Sequence, residues 1–396
     1  MKETINSINV AILLSANALC WVIRIPMVLA MIMIFCVVLH WVTNRQFAYK
    51  NTLGLYLYCM LFFLFPLLLS INSIGNNIAQ EYFLNYFVIG YAALLISQSK
   101  FNIKKSLIAL SVISIIMIPT IVGMDLENAD DTGVWMSVSY GVIRFIAALV
   151  LCLLLYKYKF NLITKIVLLL PVAFYSVLYA TYASRGAILA IVVFFVFFLI
   201  VKGGKGSFAV AAFTALVGIV VFANFIPIVI ALVGGLQSIG VDIYALDKIL
   251  IKSDAGDVTN GREQLISVGF KMFMESPIWG HGVGAYEVRY GGGAYIHNII
   301  LQQLIEGGLL LFVPLALITL MSFRQIFNNS LPHETRLFLV LLMSTGLIEL
   351  FFSNYFWRSQ GYWFLIGYTL SIYNKQRLRN RLGLSMTSER IKKTTL

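Results

Sequence analysis

The chain has 396 residues, of which 60% are hydrophobic and 12% are charged, and its formal net charge is +12. Soluble globular domains contain about 25% charged residues, so this composition excludes a soluble enzyme and indicates a membrane protein. The four cysteines all lie in apolar stretches, where cysteine behaves as a small hydrophobic residue, and they indicate neither disulfides nor a metal site. They are Cys20, Cys36, Cys59 and Cys152.

The apolar residues fall into runs of about 17 to 22, the length at which a helix crosses about 30 Å of hydrocarbon. Barrel strands would alternate apolar and polar residues, and the run at 188–201 does not. We therefore predict an all-α, polytopic integral membrane protein of about twelve transmembrane helices without a cleavable leader. The predicted spans lie at about 9–23, 26–42, 52–71, 82–97, 106–124, 138–156, 166–183, 187–201, 208–233, 298–320, 337–353 and 361–373.

The basic residues predict how these spans are oriented. With a cytoplasmic N-terminus, the inside loops carry most of the 29 lysines and arginines, and the outside loops hold most of the 17 acidic residues. This bias predicts an inner-membrane protein with both termini in the cytoplasm. It also explains the positive charge without nucleic acid as a partner. The inside loops contain no phosphate-binding loop, which argues against an ATP-driven pump.

The same pattern divides the chain into four regions. Residues 1–233 form a nine-helix transmembrane region, 234–296 a large periplasmic loop, 297–373 three C-terminal transmembrane helices, and 374–396 a basic cytoplasmic tail. Loops of this length in compact proteins are usually functional, so we expect an active site that faces the periplasm.

Within the large loop, the stretch REQLISVGFKMFME at 262–275 predicts an amphipathic helix that lies on the membrane surface. Thr259 or Asn260 is expected to cap it, Pro277 to end it, and the glycines at 280, 282 and 284 permit a tight or irregular turn. Its apolar residues are Leu265, Val268, Phe270, Met272 and Phe273.

Three arginines at outer span ends run against the orientation rule: Arg185 in ATYASRGAILA, Arg262 in TNGRE and Arg358 in NYFWRSQGYW. The arginine fork grips phosphate oxygens in pairs and stabilises the charge that develops as a glycosyl–phosphate bond breaks. Such a cluster therefore fits a diphosphate. Each arginine taken alone can instead be an interfacial anchor or a member of an internal ion pair.

A sugar hydroxyl that attacks such a donor must lose a proton, and histidine is the natural base near neutral pH. His297 in YIHNIILQQLIEGG is best placed, with His281 second. The alternative for His297 is an interfacial histidine bonded to Asn298 or to a backbone carbonyl. The outside acids form no dense cluster beside histidines, so we expect metal-independent chemistry.

Two carboxylates, Glu306 and Glu349, lie close to the hydrocarbon, where ionisable groups usually mark a site. Each can orient an arginine or His297, or be a protonated structural group. Arg144, in the sixth predicted span, is a potential partner for one of them.

At these residues the sequence resembles the O-antigen polymerase and O-antigen ligase family of bacterial membrane proteins. The matching stretches are SRGAILA, NGREQLISVGFKMFMESPIWGHGVGAY, HNIILQQLIEGGLLLFVPL and, less clearly, WRSQGYW. The resemblance implies a metal-independent, inverting glycosyltransferase of GT-C-like architecture without a cofactor. Its partners would be undecaprenyl-diphosphate-linked oligosaccharides as donor and acceptor, membrane lipids, and a chain-length regulator protein.

Carried over to this chain, the resemblance implies that Arg185 and Arg262 bind the diphosphate and that His297 activates or positions the acceptor hydroxyl. Arg289, Arg358, His281 and Glu306 are additional candidates for binding the diphosphate or glycan. Only residues 263–296 separate Arg262 from His297, whereas ligases of this family usually have a longer segment there. We therefore favour the polymerase over the ligase.

A transporter or lipid-linked oligosaccharide flippase is the rival class of protein. A carrier is expected to place polar residues near the midplane and to repeat its fold in two halves. Here the unusual residues crowd the outer face of the second half, and no repeat is visible.

Overall fold

The structure is a computed structural model that describes residues 1–22, 27–69, 74–124, 132–156, 159–182, 184–204, 206–238, 262–290 and 296–382. Within these ranges every regular element is a helix, which confirms the all-α part of the predicted fold class. The α-helices are α1 (Lys2–Val22), α2 (Val28–Asn44), α3 (Lys50–Leu69), α4 (Ile74–Asn85), α5 (Tyr91–Ser97), α6 (Ile103–Val122), α7 (Thr132–Leu155), α8 (Leu162–Tyr182), α9 (Arg185–Lys202), α10 (Ser207–Ala223), α11 (Phe225–Gln237), α12 (Arg262–Glu275), α13 (Ala285–Tyr290), α14 (Ile299–Ile326), α15 (His333–Gly346) and α16 (Gln360–Arg381).

Each of the twelve predicted spans coincides with one or more of these helices. Five helices in the described ranges are long and apolar enough to cross a membrane by themselves, namely Lys2–Trp21, Ile103–Val122, Val138–Leu155, Leu162–Tyr179 and Ile299–Ile326. The remaining segments comprise two further long helices, Lys50–Leu69 and Gln360–Arg381, and helices that are shorter or interrupted. The number twelve therefore stays a prediction.

The predicted ninth span, 208–233, is two helices and not one. The axes of Ser207–Ala223 and Pro227–Gly235 differ by 80°, so the pair makes at most one broken span. Asn224 leaves the helical conformation, and its side-chain amide donates to the Val220 carbonyl at 2.9 Å. A short polar side chain that bonds the backbone in this way competes with helix continuation, which explains the break.

The predicted eleventh span, 337–353, is also shorter than expected. The helix α15 ends at Gly346 and is followed by a 3₁₀ turn, Ile348–Phe351. The backbones of Gly346 and Gly361 touch here, since a Cβ on Gly346 would lie 2.7 Å from the Gly361 carbonyl carbon. This contact brings α15 and α16 together at the end of the molecule that carries the candidate site.

Contacts between loops gather the predicted inside segments at one end of the helix bundle, which we call the basic end. Lys104 forms an ion pair with Glu334 at 2.6 Å, and the Lys105 ammonium donates to Thr4 at 2.8 Å. These bonds join the starts of α1, α6 and α15. Three of the stretches that resemble the family, SRGAILA, HNIILQQLIEGGLLLFVPL and WRSQGYW, include the starts of α9, α14 and α16. The alternation of the predicted spans places these three starts at the end of the bundle opposite the basic end.

The helix α12 has the bounds predicted for the amphipathic stretch, but its apolar residues point in two directions. Leu265 and Met272 are buried against Tyr286, Ile296 and Ile305, and together these five side chains form a small second core. The opposite face of the helix exposes another apolar row, Ile266, Phe270 and Met274. The expected caps Thr259 and Asn260, the loop residues 239–261 and the tail after 382 lie outside the described residues.

Candidate functional site

The site is built around a break in α14. Gly308 has φ 59° and ψ −157°, a conformation that favours glycine, and it interrupts the helical hydrogen-bond ladder. The turn at 276–284 restores the lost bonds. His281 N–H donates to the Ile305 carbonyl at 2.7 Å, and Leu309 N–H donates to the Pro277 carbonyl at 2.8 Å. Two stretches that the sequence separates by about twenty-five residues are thus one structural unit.

We call residues 276–284 the glycine turn. Its glycines at 280, 282 and 284 all have positive φ, which confirms the predicted irregular turn. Close packing adds a second constraint, because a Cβ on Gly280 would lie 2.6 Å from the amide nitrogen of Gly308. The glycine turn can therefore lie flat against α14.

Glu306 occupies the centre of this unit, and only 1% of its surface is exposed. One carboxylate oxygen accepts a hydrogen bond from Trp357 Nε1 at 2.6 Å. The other accepts from Gln302 Nε2 at 3.2 Å and from the Gly284 amide at 3.4 Å. The carboxylate thus bonds to α14, to the glycine turn and to the 3₁₀ turn Phe356–Arg358.

A second buried carboxylate, Glu287 on α13, was missed by the sequence reading. Tyr82 donates to one of its oxygens at 2.7 Å, and the other oxygen has no hydrogen-bond partner within the described part of the chain. Burial raises the pKa of Glu287 above its usual range. In the sequence this residue resembled an ordinary loop acid, and no pattern signals that α13 packs against α4.

The two candidate histidines flank this carboxylate region. His281 Nε2 lies 2.6 Å from the Met272 carbonyl, so this nitrogen carries the proton and ties the glycine turn to α12. His297 is half-buried, between Ile296 of the small core and Asn298. Asn298 caps α14, since its side-chain oxygen accepts from the amides of Ile300 and Leu301 at 3.0 and 3.2 Å. The cap fixes the backbone immediately after His297.

The two arginines singled out for the diphosphate begin helices. Arg185 is the first residue of α9, after Ser184, whose hydroxyl accepts from Ala187 N–H at 3.3 Å. Arg262 is the first residue of α12. Helix starts favour anions, so both backbone positions suit a phosphate. The side chains of Arg185 and Arg262 lie outside the described residues.

The other two arginines differ in their surroundings. Both terminal nitrogens of Arg289 bond to the Glu275 carboxylate, one of them at 2.8 Å, in an exposed fork-to-fork pair. This pair lowers the pKa of Glu275 and raises that of Arg289. Arg358 is exposed, and within the described part of the chain its guanidinium forms no hydrogen bond or ion pair.

Glu349 and Arg144 lie on the other side of this region. Glu349 is buried, accepts from Asn354 Nδ2 at 2.9 Å, and interacts electrostatically with Arg144 and Arg358. Arg144 donates to the carbonyls of Leu14 and Thr345, the second at 3.0 Å. Of the two carboxylates predicted as partners of Arg144, the structure brings Glu349 close to it. Within the described residues, no three His, Cys, Asp or Glu side chains group as metal ligands.

The fold and the site define a helical membrane protein whose buried carboxylates and exposed arginine gather at one end of the bundle. Residues 178–316 match the family described as O-antigen ligase. The match includes Arg185, Arg262, the glycine turn and the break in α14 at Gly308, and it ends before Trp357 and Arg358. It confirms the resemblance to the O-antigen polymerase and ligase family, which implies a glycosyltransferase activity. A comparison with curated proteins finds no match, and neither does one with solved structures.

Proposed function

We propose that the protein is an O-antigen polymerase, which joins undecaprenyl-diphosphate-linked repeat units of a surface polysaccharide at the periplasmic face of the inner membrane. The observation that carries this proposal is that three of the four stretches that resemble the family, those at 260–286, 297–315 and 357–363, are joined at one end of the bundle. The glycine turn and α14 form one unit that also fixes α12, which begins at Arg262, and the backbone beside His297. A diphosphate held by arginines can therefore share a site with an acceptor beside His297.

The proposed reaction is a direct displacement. The acceptor hydroxyl oxygen attacks the anomeric carbon of the donor sugar, and the bond from that carbon to the diphosphate oxygen breaks. The hydroxyl proton passes to His297, and undecaprenyl diphosphate leaves with its charge stabilised by Arg185 and Arg262. One displacement inverts the anomeric carbon. The donor bond supplies the driving force, so ATP is not required, and the arginines stabilise the leaving diphosphate in place of a metal ion.

The finer features of the proposal follow from the sequence and the helices. We infer twelve spans in a GT-C-like arrangement, with both termini in the cytoplasm. The coincidence of all twelve predicted segments with helices supports this number. We also propose a chain-length regulator protein as a partner.

The ligase is the second candidate, because the matching family is described by that activity. It would transfer the same glycan to the lipid A core by the same displacement. The short interval of residues 263–296 between the second arginine and the histidine supports the polymerase.

Deletion of the gene, followed by gel analysis of surface polysaccharide, tests the proposal. We expect lipid A core that carries a single repeat unit, because ligation continues without polymerisation. Bare core together with accumulated lipid-linked polymer would identify the ligase instead. An unchanged polysaccharide ladder would exclude both activities.

A further inference from the structure

Glu306 is enclosed by protein. The residue is 1% exposed, and both carboxylate oxygens already accept hydrogen bonds from Trp357, Gln302 and Gly284. A sugar hydroxyl or a phosphate has no free surface of Glu306 to contact. A substrate-binding role, as the sequence predicted for this residue, fits these contacts less well than a role in holding neighbouring segments.

The shortest of the three hydrogen bonds to Glu306 comes from Trp357, the residue before the exposed Arg358. Trp357 is fully buried, donates its indole N–H to Glu306 at 2.6 Å, and immediately precedes Arg358. Its ring packs against Phe63 and Tyr86, with ring centroids 4.7 and 5.0 Å away. A hydrogen bond from a neutral donor to a buried carboxylate is among the stronger ones in proteins. The position of Arg358 thus depends on Glu306 through a single residue.

We propose that Glu306 is a positioning residue, which fixes the Phe356–Arg358 turn and the glycine turn to α14 and thereby aims the Arg358 guanidinium at the donor diphosphate. This inference rests on the proposed function. Arg358 can bind phosphate oxygens because, in the described part of the chain, its guanidinium forms no ion pair with a carboxylate. The same carboxylate also holds the glycine turn through the Gly284 amide, so it joins residues inside and outside the family match.

The molecule provides a matched control for the indole bond. Trp363 is also fully buried and stacks near Trp357, with ring centroids 6.0 Å apart. Its Nε1 has no hydrogen-bond partner within the described residues. Trp357→Phe and Trp363→Phe remove the same atoms from the same aromatic cluster, but only the first removes a bond to Glu306.

The catalytic test measures polymer formation from lipid-linked repeat units by purified variants. We expect Trp357→Phe and Glu306→Gln each to lower kcat roughly 10-fold to 100-fold, the range for one hydrogen bond to a charged group. Trp363→Phe should stay within about twofold of the parent, as expected where no hydrogen bond is lost. In an Arg358→Ala background, Trp357→Phe should cause no further loss, because this substitution acts through Arg358. A full additional loss in that background would overturn the proposal.

A second measurement does not depend on the reaction. Trypsin cleaves after exposed arginines, and cleavage after Arg358 reports whether the turn is held in place. In detergent-solubilised protein, Trp357→Phe and Glu306→Gln should be cut there faster than the parent and Trp363→Phe. Equal cleavage of all four proteins would refute the positioning role. If the difference in cleavage holds but no variant or parent forms polymer, the proposed function fails while the positioning role stands.

Discussion

Gly280 and Gly308 meet backbone to backbone where the glycine turn lies on α14. A Cβ on Gly280 would lie 2.6 Å from the Gly308 amide nitrogen, and one on Gly308 would lie 2.8 Å from the Gly280 amide nitrogen. Neither position has room for a side chain. The contact fixes the distance between the turn that carries His281 and the helix that carries Glu306.

Gly308→Ala should therefore destabilise the protein by more than backbone strain alone. Gly203 is a matched control, because it has nearly the same backbone conformation, φ 66° and ψ −176°, and no atom within 4 Å of a Cβ. Strain at such a conformation costs about 1–3 kcal/mol. We expect a small drop in Tm for Gly203→Ala in detergent and a larger one for Gly308→Ala. Equal drops would show that the contact with the glycine turn does not constrain the helix.

Substitution of Arg185 or Arg262 by alanine should abolish polymer formation while membrane levels stay normal. Lysine should restore activity only in part, because an ammonium lacks the two-pronged contact with phosphate oxygens. Lys271, an exposed cation on α12, provides the control, and Lys271→Ala should remain active. Full activity of Arg185→Ala in an assay with lipid-linked repeat units would contradict the diphosphate role.

His297→Gln should lower the rate by about 10² to 10⁴, the usual contribution of a general base. Donor binding should survive, because the diphosphate contacts lie on arginines. Activity of the parent should fall as the pH drops through the titration of the imidazole, since a protonated ring accepts no proton. That acid limb should be lost in His297→Gln, measured from pH 5 to 8 with chelator present. Near-normal polymer formation by the variant would transfer the role to His281.

Stability should respond to pH through Glu287. Burial raises its pKa in the folded protein, whereas an unfolded carboxyl titrates near about 4.3. The folded state therefore binds the proton more tightly, and stability is lost as the pH rises from the unfolded value through the raised one. Glu287→Gln keeps an acceptor for Tyr82 but cannot ionise. We expect its Tm to fall less than that of the parent between pH 4.5 and 8.

Three neighbouring side chains affect the ionisation of Glu287. Tyr82 donates to it, and Glu81 and Glu306 repel its charged form. A Glu81→Gln variant, measured over the same pH range, separates the contribution of that neighbour. Parallel Tm curves for the parent and Glu287→Gln would show that Glu287 does not titrate differently in the two states.

The topology can be tested by labelling. A cysteine at Asp254 should react with a membrane-impermeant thiol reagent from the periplasmic side, whereas one at Lys104 should not. Reaction of the Asp254→Cys protein only after the cytoplasmic side is opened would contradict the whole mechanism, since the proposed donor would then lie on the wrong side of the membrane.

Much of the fold follows from local features of the sequence. Apolar runs located the helices, and Pro277 together with the glycines at 280, 282 and 284 located the end of α12 and the turn after it. These features depend on neighbouring residues in the chain. The sequence did not show which face of α12 packs inward, because an apolar row at Leu265 and Met272 and another at Ile266 and Phe270 look alike in sequence.

The sequence did not predict the breaks in the helices or the hydrogen bonds that connect the residues of the site. Gly307 and Gly308 lie in an apolar run that resembles one continuous span, and glycine is common in membrane helices. Their break is stabilised by a turn more than twenty residues earlier. The bond between Glu306 and Trp357 likewise joins residues 51 positions apart. Such partners are set by tertiary packing, which no local pattern encodes.

The small core under α12 has a consequence for how the protein is made. Leu265, Met272 and Tyr286 are synthesised first, but their partners Ile296 and Ile305 follow later in the chain, and Ile305 belongs to a helix long and apolar enough to cross a membrane. The segment 262–290 therefore cannot complete its fold until α14 is in place. A secreted fragment that stops before Ile296 would present Leu265 and Met272 to water and would be a poor antigen or screening target.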